Sequence, residues 1–415
     1  MSILIKNVLI ATQDKFRSIV RGNVLIVGDK IAYVGKRLPK ASKIIDGRGK
    51  AVIPGLINTH THVAMAHMKG LLDDVELDEF LERTFKYDSK RTSRGIYNSA
   101  LLGMLEMVSS GTTSFLDLYY SEDVIAEAAN ALGIRAFLSW VVLDEEFTTQ
   151  KGSPIKNAEK FILGYKRKGL VEPSVGIQGV YVASDETMLK AKELADRHGT
   201  VLHMHLAETQ SEVKQSLKSF GIRPAERIHK LGLIDSKLVA AHCIWLNRNE
   251  VKALGSNHAN VSWNPVSNSK LASGTAGIKE LQDAGANIAI GTDSNGSNNS
   301  LNMLESMKFG ALQAKSRYGS AEALTAQQAF DMATINAAKA LGRADIGSIE
   351  PGKLADLAII DISAPNMRPT DETNLINNIV YSANPLNVVS VMVGGKFIKA
   401  GGSEKTRLDK GNVFV

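Results

Sequence analysis

Apolar runs of strand length alternate with helical periodicity through the middle of the chain. The eight runs are VIPGLINTHTH, GTTSFLDLYY, IRAFLSWVVLD, PSVGIQGVYVA, TVLHMHLAE, LVAAHCIW, ANVSWNPVSN and ANIAIGTDSN. Near-continuous apolar strands that alternate with helices are typical of a parallel sheet covered by helices. Eight such units in about 290 residues predict an α/β fold of the closed (β/α)8, TIM-type class rather than an open doubly wound sheet.

Both ends of the chain show a different pattern, with short strands separated by turns. Gly28-Asp29 is a hairpin turn signal near the start, and Gly394-Gly395 is another near the end. We therefore expect the barrel to occupy residues 56–345. Residues 1–55 plus 346–415 are expected to form one composite β-sandwich beside it.

Composition and charge argue against two classes of partner. The chain has 415 residues and a net charge of +6, but its densest basic stretches, 86–94 and 165–168, are interpreted as solvated helix faces. No aromatic-rich nucleic-acid signature and no run of about 18 apolar residues is present, so neither nucleic acid nor membrane is an expected partner. The single cysteine, Cys243, excludes an intrachain disulfide and fits a cytoplasmic location. A homo-oligomer remains open.

Histidines stand at the carboxyl ends of two predicted strands, which is where such barrels place their active sites. His60 and His62 end the first strand, and residues two apart in a strand point to the same side, so both can reach one ion. His205 ends the fifth strand and would be a third imidazole ligand. His203 also points inward but lies deeper, and we interpret it as a packed or supporting histidine. Two histidines at a strand end can be ordinary residues, although their place after an apolar strand favours a metal.

Three further polar residues follow the ends of strands five, six and eight. Glu208 lies in the loop after the fifth strand, where its carboxyl can carry a proton. His242 can hold a bound water or a developing oxyanion, although a capped core histidine would look the same. Asp293 can ligate a metal and accept a proton from its water, although a helix N-cap aspartate is the ordinary alternative. Three histidines and one aspartate with an open position for water indicate a catalytic rather than a structural site.

Together these segments resemble the amidohydrolase superfamily. The resemblance rests on VIPGLINTHTH, HLAET, AAHC, NPVSNSKLASG and GTDSNGSNNSLNM, and it covers nearly the whole chain. The chain looks most like the branch of S-adenosylhomocysteine/5′-methylthioadenosine deaminases and triazine hydrolases. The resemblance implies one divalent metal ion, with Zn²⁺ expected first and Fe²⁺ or Mn²⁺ as alternatives. The implied ligands are His60, His62, His205 and Asp293.

The same resemblance implies Glu208 as the proton shuttle and His242 as the residue that orients the attacking hydroxide. Binuclear members carry a bridging modified lysine at the end of strand four, whereas SVGIQGVYVA contains no lysine, which favours one metal. Triazine dechlorinases of this branch can lack the shuttle glutamate. Its presence here favours deamination.

Positions that recognise the nucleoside in this branch have changed in this chain. Gln178 stands where relatives carry a histidine after strand four, and Asp88 where they carry a ribose-binding glutamate. Trp140 occupies the place of an arginine that serves S-adenosylhomocysteine deaminases, and it cannot clamp a carboxylate through two charge-assisted hydrogen bonds. We therefore expect substrate choice to depart from that of S-adenosylhomocysteine deaminases. His67, five residues after the first metal motif, is expected to line the pocket.

The sequence thus predicts a metal-dependent hydrolytic deaminase of an amino-substituted nitrogen heterocycle, of the purine or adenosine-analogue type. It would release ammonia by way of metal-bound hydroxide. The alternative is metal-dependent hydrolysis of another C–N or C–halogen bond, as in an amide, a guanidine or a chlorotriazine. A non-catalytic scaffold is disfavoured by the intact ligand set.

Overall fold

The fold is built on two sheets. The computed structural model describes residues 1–75, 77–165, 169–400 and 403–404. Residues 405–415 of the predicted sandwich and three residues of the basic stretch at 165–168 lie outside the described residues. The strands are β1 (Ser2–Ala11), β2 (Ile19–Val27), β3 (Lys30–Gly35), β4 (Lys43–Asp46), β5 (Lys50–Pro54), β6 (Leu56–Thr61), β7 (Thr112–Tyr119), β8 (Arg135–Val142), β9 (Val171–Ile177), β10 (Leu202–Leu206), β11 (Leu238–His242), β12 (Asn260–Trp263), β13 (Asn287–Ile290), β14 (Leu357–Asp361), β15 (Val388–Val393), β16 (Lys396–Ala400) and β17 (Ser403–Glu404).

Helices separate the barrel strands and cover their outer faces. They are α1 (Leu77–Asp88), α2 (Ser93–Ser109), α3 (Glu122–Leu132), α4 (Pro154–Tyr165), α5 (Asp185–His198), α6 (Gln210–Phe220), α7 (Pro224–Lys230), α8 (Arg248–Ser256), α9 (Pro265–Lys270), α10 (Ile278–Asp283), α11 (Met303–Tyr318), α12 (Ala326–Met332), α13 (Ile335–Ala340) and α14 (Leu375–Tyr381). None of those in the described part of the chain is long and apolar enough to cross a bilayer.

Local signals in the sequence set the helix ends. The Ser184 side chain caps α5 by accepting a hydrogen bond from the backbone of Thr187, and Thr209 caps α6 in the same way. Gly199 ends α5 and Gly221 ends α6, each in the left-handed conformation that glycine adopts without steric cost. The two N-caps fix where each helix begins after the loop at the carboxyl end of the preceding strand.

Strands β6 to β13 form the predicted eight-stranded barrel, in sequential order and with every pair parallel. The first and last strands meet at the site end, because the backbone N–H groups of Thr292 and Asp293 donate to the His60 carbonyl at 3.2 and 2.9 Å. The carboxyl ends of all eight strands therefore lie around one mouth.

Within the described residues, the two chain ends form a second, mixed sheet of nine strands, which joins the two β-rich segments that were expected to form one composite β-sandwich. β5 pairs with β14 in antiparallel register, which joins the N-terminal and C-terminal strands. A buried ion pair connects this sheet to the barrel: Arg135 Nε lies 2.9 Å from Asp356 Oδ2. Both side chains are less than a tenth exposed, so the two sheets share a desolvated polar contact as well as apolar packing.

Candidate metal centre and active site

Three histidines bring their ring nitrogens together at the barrel mouth. The ligand atoms of His60, His62 and His205 all lie within 4.8 Å of one another, and the two Nε2 atoms of His62 and His205 are 3.2 Å apart. Bare imidazole nitrogens held this close need a shared cation to offset their lone pairs.

Backbone carbonyls set which nitrogen of each ring faces the centre. His62 Nδ1 lies 2.5 Å from the Leu118 carbonyl, and His205 Nδ1 lies 2.6 Å from the Gln178 carbonyl. A carbonyl can only accept, so each Nδ1 carries the proton and each Nε2 keeps a free lone pair. This is the arrangement in which proteins present histidine to a metal.

His60 lies at the middle of the cluster. Its Nδ1 is 2.9 Å from His203 Nε2, which confirms the supporting position expected for His203. Its Nε2 is buried and has no hydrogen-bond partner, although Asp293 Oδ1 is 3.5 Å away. A buried ring nitrogen that has no hydrogen-bond partner and lies among other metal-binding side chains fits the role of a metal ligand.

Asp293 supplies the anionic donor. Its Oδ1 lies 3.4 Å from His62 Nε2, and its Oδ2 accepts a hydrogen bond from Ser267 Oγ at 2.6 Å. Burial by itself raises the pKa of Asp293, but the neighbouring imidazoles, His60 first, hold it well below its usual value. Burial also keeps the pKa of His60 and His205 well below 6.5. Neutral imidazoles and an ionised carboxylate are the protonation states that a divalent metal requires.

His242 points to the same centre, but the ring nitrogen that faces it carries a proton and therefore has no free lone pair for a metal. Asn268 Nδ2 donates to His242 Nδ1 at 2.7 Å, so the ring proton resides on Nε2. That Nε2 lies 3.7 Å from Glu208 Oε2. His242 therefore presents an N–H donor beside the metal donors, and burial lowers its pKa so that the ring stays neutral.

Glu208 is held over the centre by a second buried glutamate. Glu212 accepts hydrogen bonds from the backbone N–H groups of Ala207 and Glu208, at 3.0 and 2.8 Å. Burial first, and then the nearby Asp293 charge, raise the pKa of Glu208 to about 8, against a hydrogen bond from Ser273 that lowers it. A pKa in this range lets the Glu208 carboxyl hold a proton near neutral pH.

Three turns at the strand ends adopt strained backbone conformations. Ala207, His242 and Asp293 have φ angles of +50°, +75° and +63°. Residues other than glycine rarely adopt this left-handed region, and such strain clusters at active sites. These turns change the direction of the chain where the strands end, at His242 and Asp293 themselves and at Ala207, the residue before Glu208.

The contact between Asn268 and His242 gives a testable prediction. Asn268→Ala is expected to lower kcat by about 10- to 100-fold, because His242 loses the partner that keeps its proton on Nε2. Asn268→Asp is expected to lower kcat further, because a carboxylate accepts from Nδ1 and leaves Nε2 without its proton. Steady-state kinetics with metal analysis decide this. If the Asp variant were more active than the Ala variant, the assignment of the His242 proton to Nε2 would be wrong.

A cavity of about 360 Å³ opens over the metal donors. Gln178 and Asp88, both expected at the substrate, lie in its wall. Asp88 Oδ1 accepts hydrogen bonds from Tyr119 Oη at 2.5 Å and from Arg91 at 3.3 Å. The cavity falls in the size range of small-molecule sites.

The structure does not place Trp140 and His67 in this cavity as expected. The Trp140 ring packs towards Phe161 of α4, and its Nε1 donates to Gln150, while the neighbouring Val141 faces the cavity. The reason is strand alternation: neighbours in β8 point to opposite sides. His67 borders an adjacent crevice beside Tyr87, where burial lowers its pKa to about 4.

Sequence reasoning missed the residues that support the site. Ser267 and Asn268 lie in the segment NPVSN on α9 and bind Asp293 and His242, respectively. Glu212 holds the turn at Glu208. The segment NPVSN was visible as a motif, but nothing in its spacing shows that its two polar side chains reach two different strands.

A parallel barrel that gathers three histidines, an aspartate and a proton-bearing glutamate at its mouth defines a metal-dependent hydrolase. The family described as the amidohydrolase family matches residues 51–398. The chain belongs to the amidohydrolase family.

Similar proteins narrow the class of hydrolase to deaminases. The chain is 37% identical to the 5′-deoxyadenosine deaminase of Methanobrevibacter smithii, an alignment that covers 100% of this chain and 96% of that protein. It is 38% identical to the 5-methylthioadenosine/S-adenosylhomocysteine deaminase of Thermococcus sibiricus, over 96% of this chain and 94% of that protein. A crystal structure of an adenosine deaminase from Xanthomonas campestris with bound zinc matches with a TM-score of 0.94, at 28% identity, over 99% of this chain and 95% of that one. The predicted family and the predicted class of hydrolytic deaminase are confirmed.

Proposed function

We propose that the chain deaminates the adenine ring of 5′-modified adenosine analogues, with zinc as its metal. The observation that carries this proposal is the position and the raised pKa of the Glu208 carboxyl. Its carboxyl shares a cavity with the metal donors, and its pKa of about 8 keeps it protonated at neutral pH. Aromatic deamination needs such a proton, because the ring nitrogen must gain one before the adjacent carbon accepts a nucleophile.

The metal would supply one kind of chemistry. A divalent ion held by His60, His62, His205 and Asp293 would lower the pKa of a water bound to it from about 15.7 towards about 7. The remaining steps belong to the protein. Asp293 is an ionised carboxylate steadied by the Ser267 hydroxyl, and its oxygens can accept the proton that the attacking water loses.

Two side chains then act on the substrate. The Nε2–H of His242 donates to the oxygen that bonds to the attacked carbon, in the manner of an oxyanion donor. The Glu208 carboxyl protonates the ring nitrogen and, once ionised, can carry a further proton to the departing amino group. The 3.7 Å between His242 Nε2 and Glu208 Oε2 places the oxyanion donor beside the proton donor.

Relatives and the cavity wall support an adenosine-type substrate. The two curated relatives named above act on 5′-modified adenosines, as their names state. In this chain Asp88 Oδ1 is occupied by Tyr119 and Arg91, while its Oδ2 forms no hydrogen bond within the described residues. We assign that free oxygen to a ribose hydroxyl. The Gln178 side chain, beside Tyr181, is assigned to the ring.

The test is ammonia release by the metal-replete protein. We expect turnover of 5′-deoxyadenosine and 5′-methylthioadenosine, and kcat/KM at least about tenfold lower for free adenine, which lacks the ribose contact. Guanine and a chlorotriazine serve as the non-adenine controls. Release of no ammonia from either nucleoside would overturn the proposal, and chloride release from the triazine would point to the alternative bond class.

A further inference from the structure

The cavity runs from a buried reacting end to an open mouth. The side chains of His205, His242 and Asp293 at the reacting end belong to residues that are 6%, 1% and 5% exposed. The opposite wall is the segment after β8, which includes Phe147 at 48% exposure. A ring that presents its amino group to Glu208 therefore directs its far substituent, the 5′ group of a nucleoside, towards this exposed segment.

Carboxylates are the only charged side chains besides histidine in the described lining of the cavity. No lysine or arginine is present among those lining residues. Asp293 faces the metal position, Glu208 holds a proton at neutral pH, and Asp88 is paired with Arg91. Glu146 has no such compensation, because it forms no hydrogen bond or ion pair with any described residue. The mouth therefore carries one uncompensated negative charge.

Three basic side chains close to Asp88 in sequence line another surface. The Arg91 guanidinium donates to Asp88, to Tyr119 and to the Gly95 carbonyl, and it borders the adjacent crevice rather than the cavity. Lys86 and Lys90 border that same crevice. None of the three belongs to the described wall of the cavity, which includes Glu146.

We infer that Glu146 is a specificity-determining residue that selects the 5′ substituent by charge, favouring cationic and neutral groups over anionic ones. The inference rests on the proposed deamination of adenosine analogues. Phe147 supplies the apolar surface against which an uncharged 5′ group can pack, and Glu146 adds attraction for a cation and repulsion for a carboxylate or phosphate.

Three nucleosides that differ only at the 5′ position test the inference. They are 5′-amino-5′-deoxyadenosine as cation, 5′-deoxyadenosine as neutral reference and adenosine-5′-carboxylate as anion. We expect kcat/KM of the wild type to rank cation, neutral, anion. Glu146→Gln should reduce the cation-to-anion ratio by about tenfold, as expected for one charge several ångströms away in solvent. Glu145→Gln is the matched control, since Glu145 neighbours Glu146 in the same turn but does not line the cavity, and should leave the ratio as it is.

Salt gives a second readout, because screening should shrink the wild-type ratio towards that of the Gln variant. A ratio unaffected by Glu146→Gln, or an anion that is the best substrate, would overturn the inference. Failure of 5′-deoxyadenosine to release ammonia would instead overturn the proposed function. The charge preference would then be measured by calorimetric binding of the same three nucleosides to both proteins, with the same ranking required.

Discussion

Replacing Glu208 with glutamine is expected to lower kcat by at least about 100-fold while the metal content stays that of the wild type. The variant keeps the size and the hydrogen-bonding surface of the side chain, but an amide cannot lend a proton to a ring nitrogen. The Glu212 carboxylate binds the backbone of Glu208, not its side chain, so the turn should survive. Ammonia release and elemental analysis of the same preparation measure both quantities.

The pH profile separates a lost acid from a distorted site. Burial raises the pKa of Glu208 to about 8, and a bound cation would lower it. The activity of the wild type should therefore fall as the pH rises through a value at or below 8, and this fall is the alkaline limb of its pH profile. Glu208→Gln should lack this limb, and Ser273→Ala, which removes one hydrogen bond to Glu208, should retain it. Near-normal turnover by the Gln variant would remove Glu208 from the mechanism.

Replacing His60 with alanine is expected to remove the metal and to lower kcat by more than about 10³-fold, since metal binding is what brings the pKa of water from about 15.7 towards 7. His60 is fully buried at the centre of the cluster, with its ring centre 4.9–5.3 Å from those of His62, His203, His205 and His242.

Elemental analysis after gel filtration is the measurement, with one ion per chain expected for the wild type. His229→Ala is the matched control, because His229 is exposed on α7, away from the barrel mouth. That variant should keep both metal and activity. Two tightly bound ions per wild-type chain would reject the mononuclear site, and retained turnover in His60→Ala would reject His60 as a ligand.

The sequence was sufficient for the barrel and for the groups at its mouth, because both follow from regular geometry. An alternation of two residues places His60 and His62 on one side of β6, and parallel strands bring their carboxyl ends to one rim. The same alternation shows why the expected position of the Trp140 side chain was wrong. Ser139 bonds to Ser174 inside the barrel, so its neighbour Trp140 must point outward.

The supporting shell could not be predicted, because it depends on loops that cross between strands. Ser267 and Asn268 are adjacent on a short helix, yet one binds the aspartate after β13 and the other the histidine that ends β11. His67 was expected at the substrate from its closeness in sequence to His62. The intervening turn carries it to a different crevice, so closeness along the chain did not mean a shared pocket.

The hydrogen bonds that His60 accepts from Thr292 and Asp293 have a consequence for how the protein acquires its metal. On the ribosome His60 and His62 emerge early, as a pair of imidazoles able to hold many ions weakly. The aspartate ligand emerges only after every other strand of the ring, and it reaches His60 only when the last strand joins the first. We therefore expect tight and selective binding of the metal only after the barrel has closed. For the proposed site, we therefore expect the ion to be selected from those that are free where folding ends, and not from those that the nascent chain meets on the way.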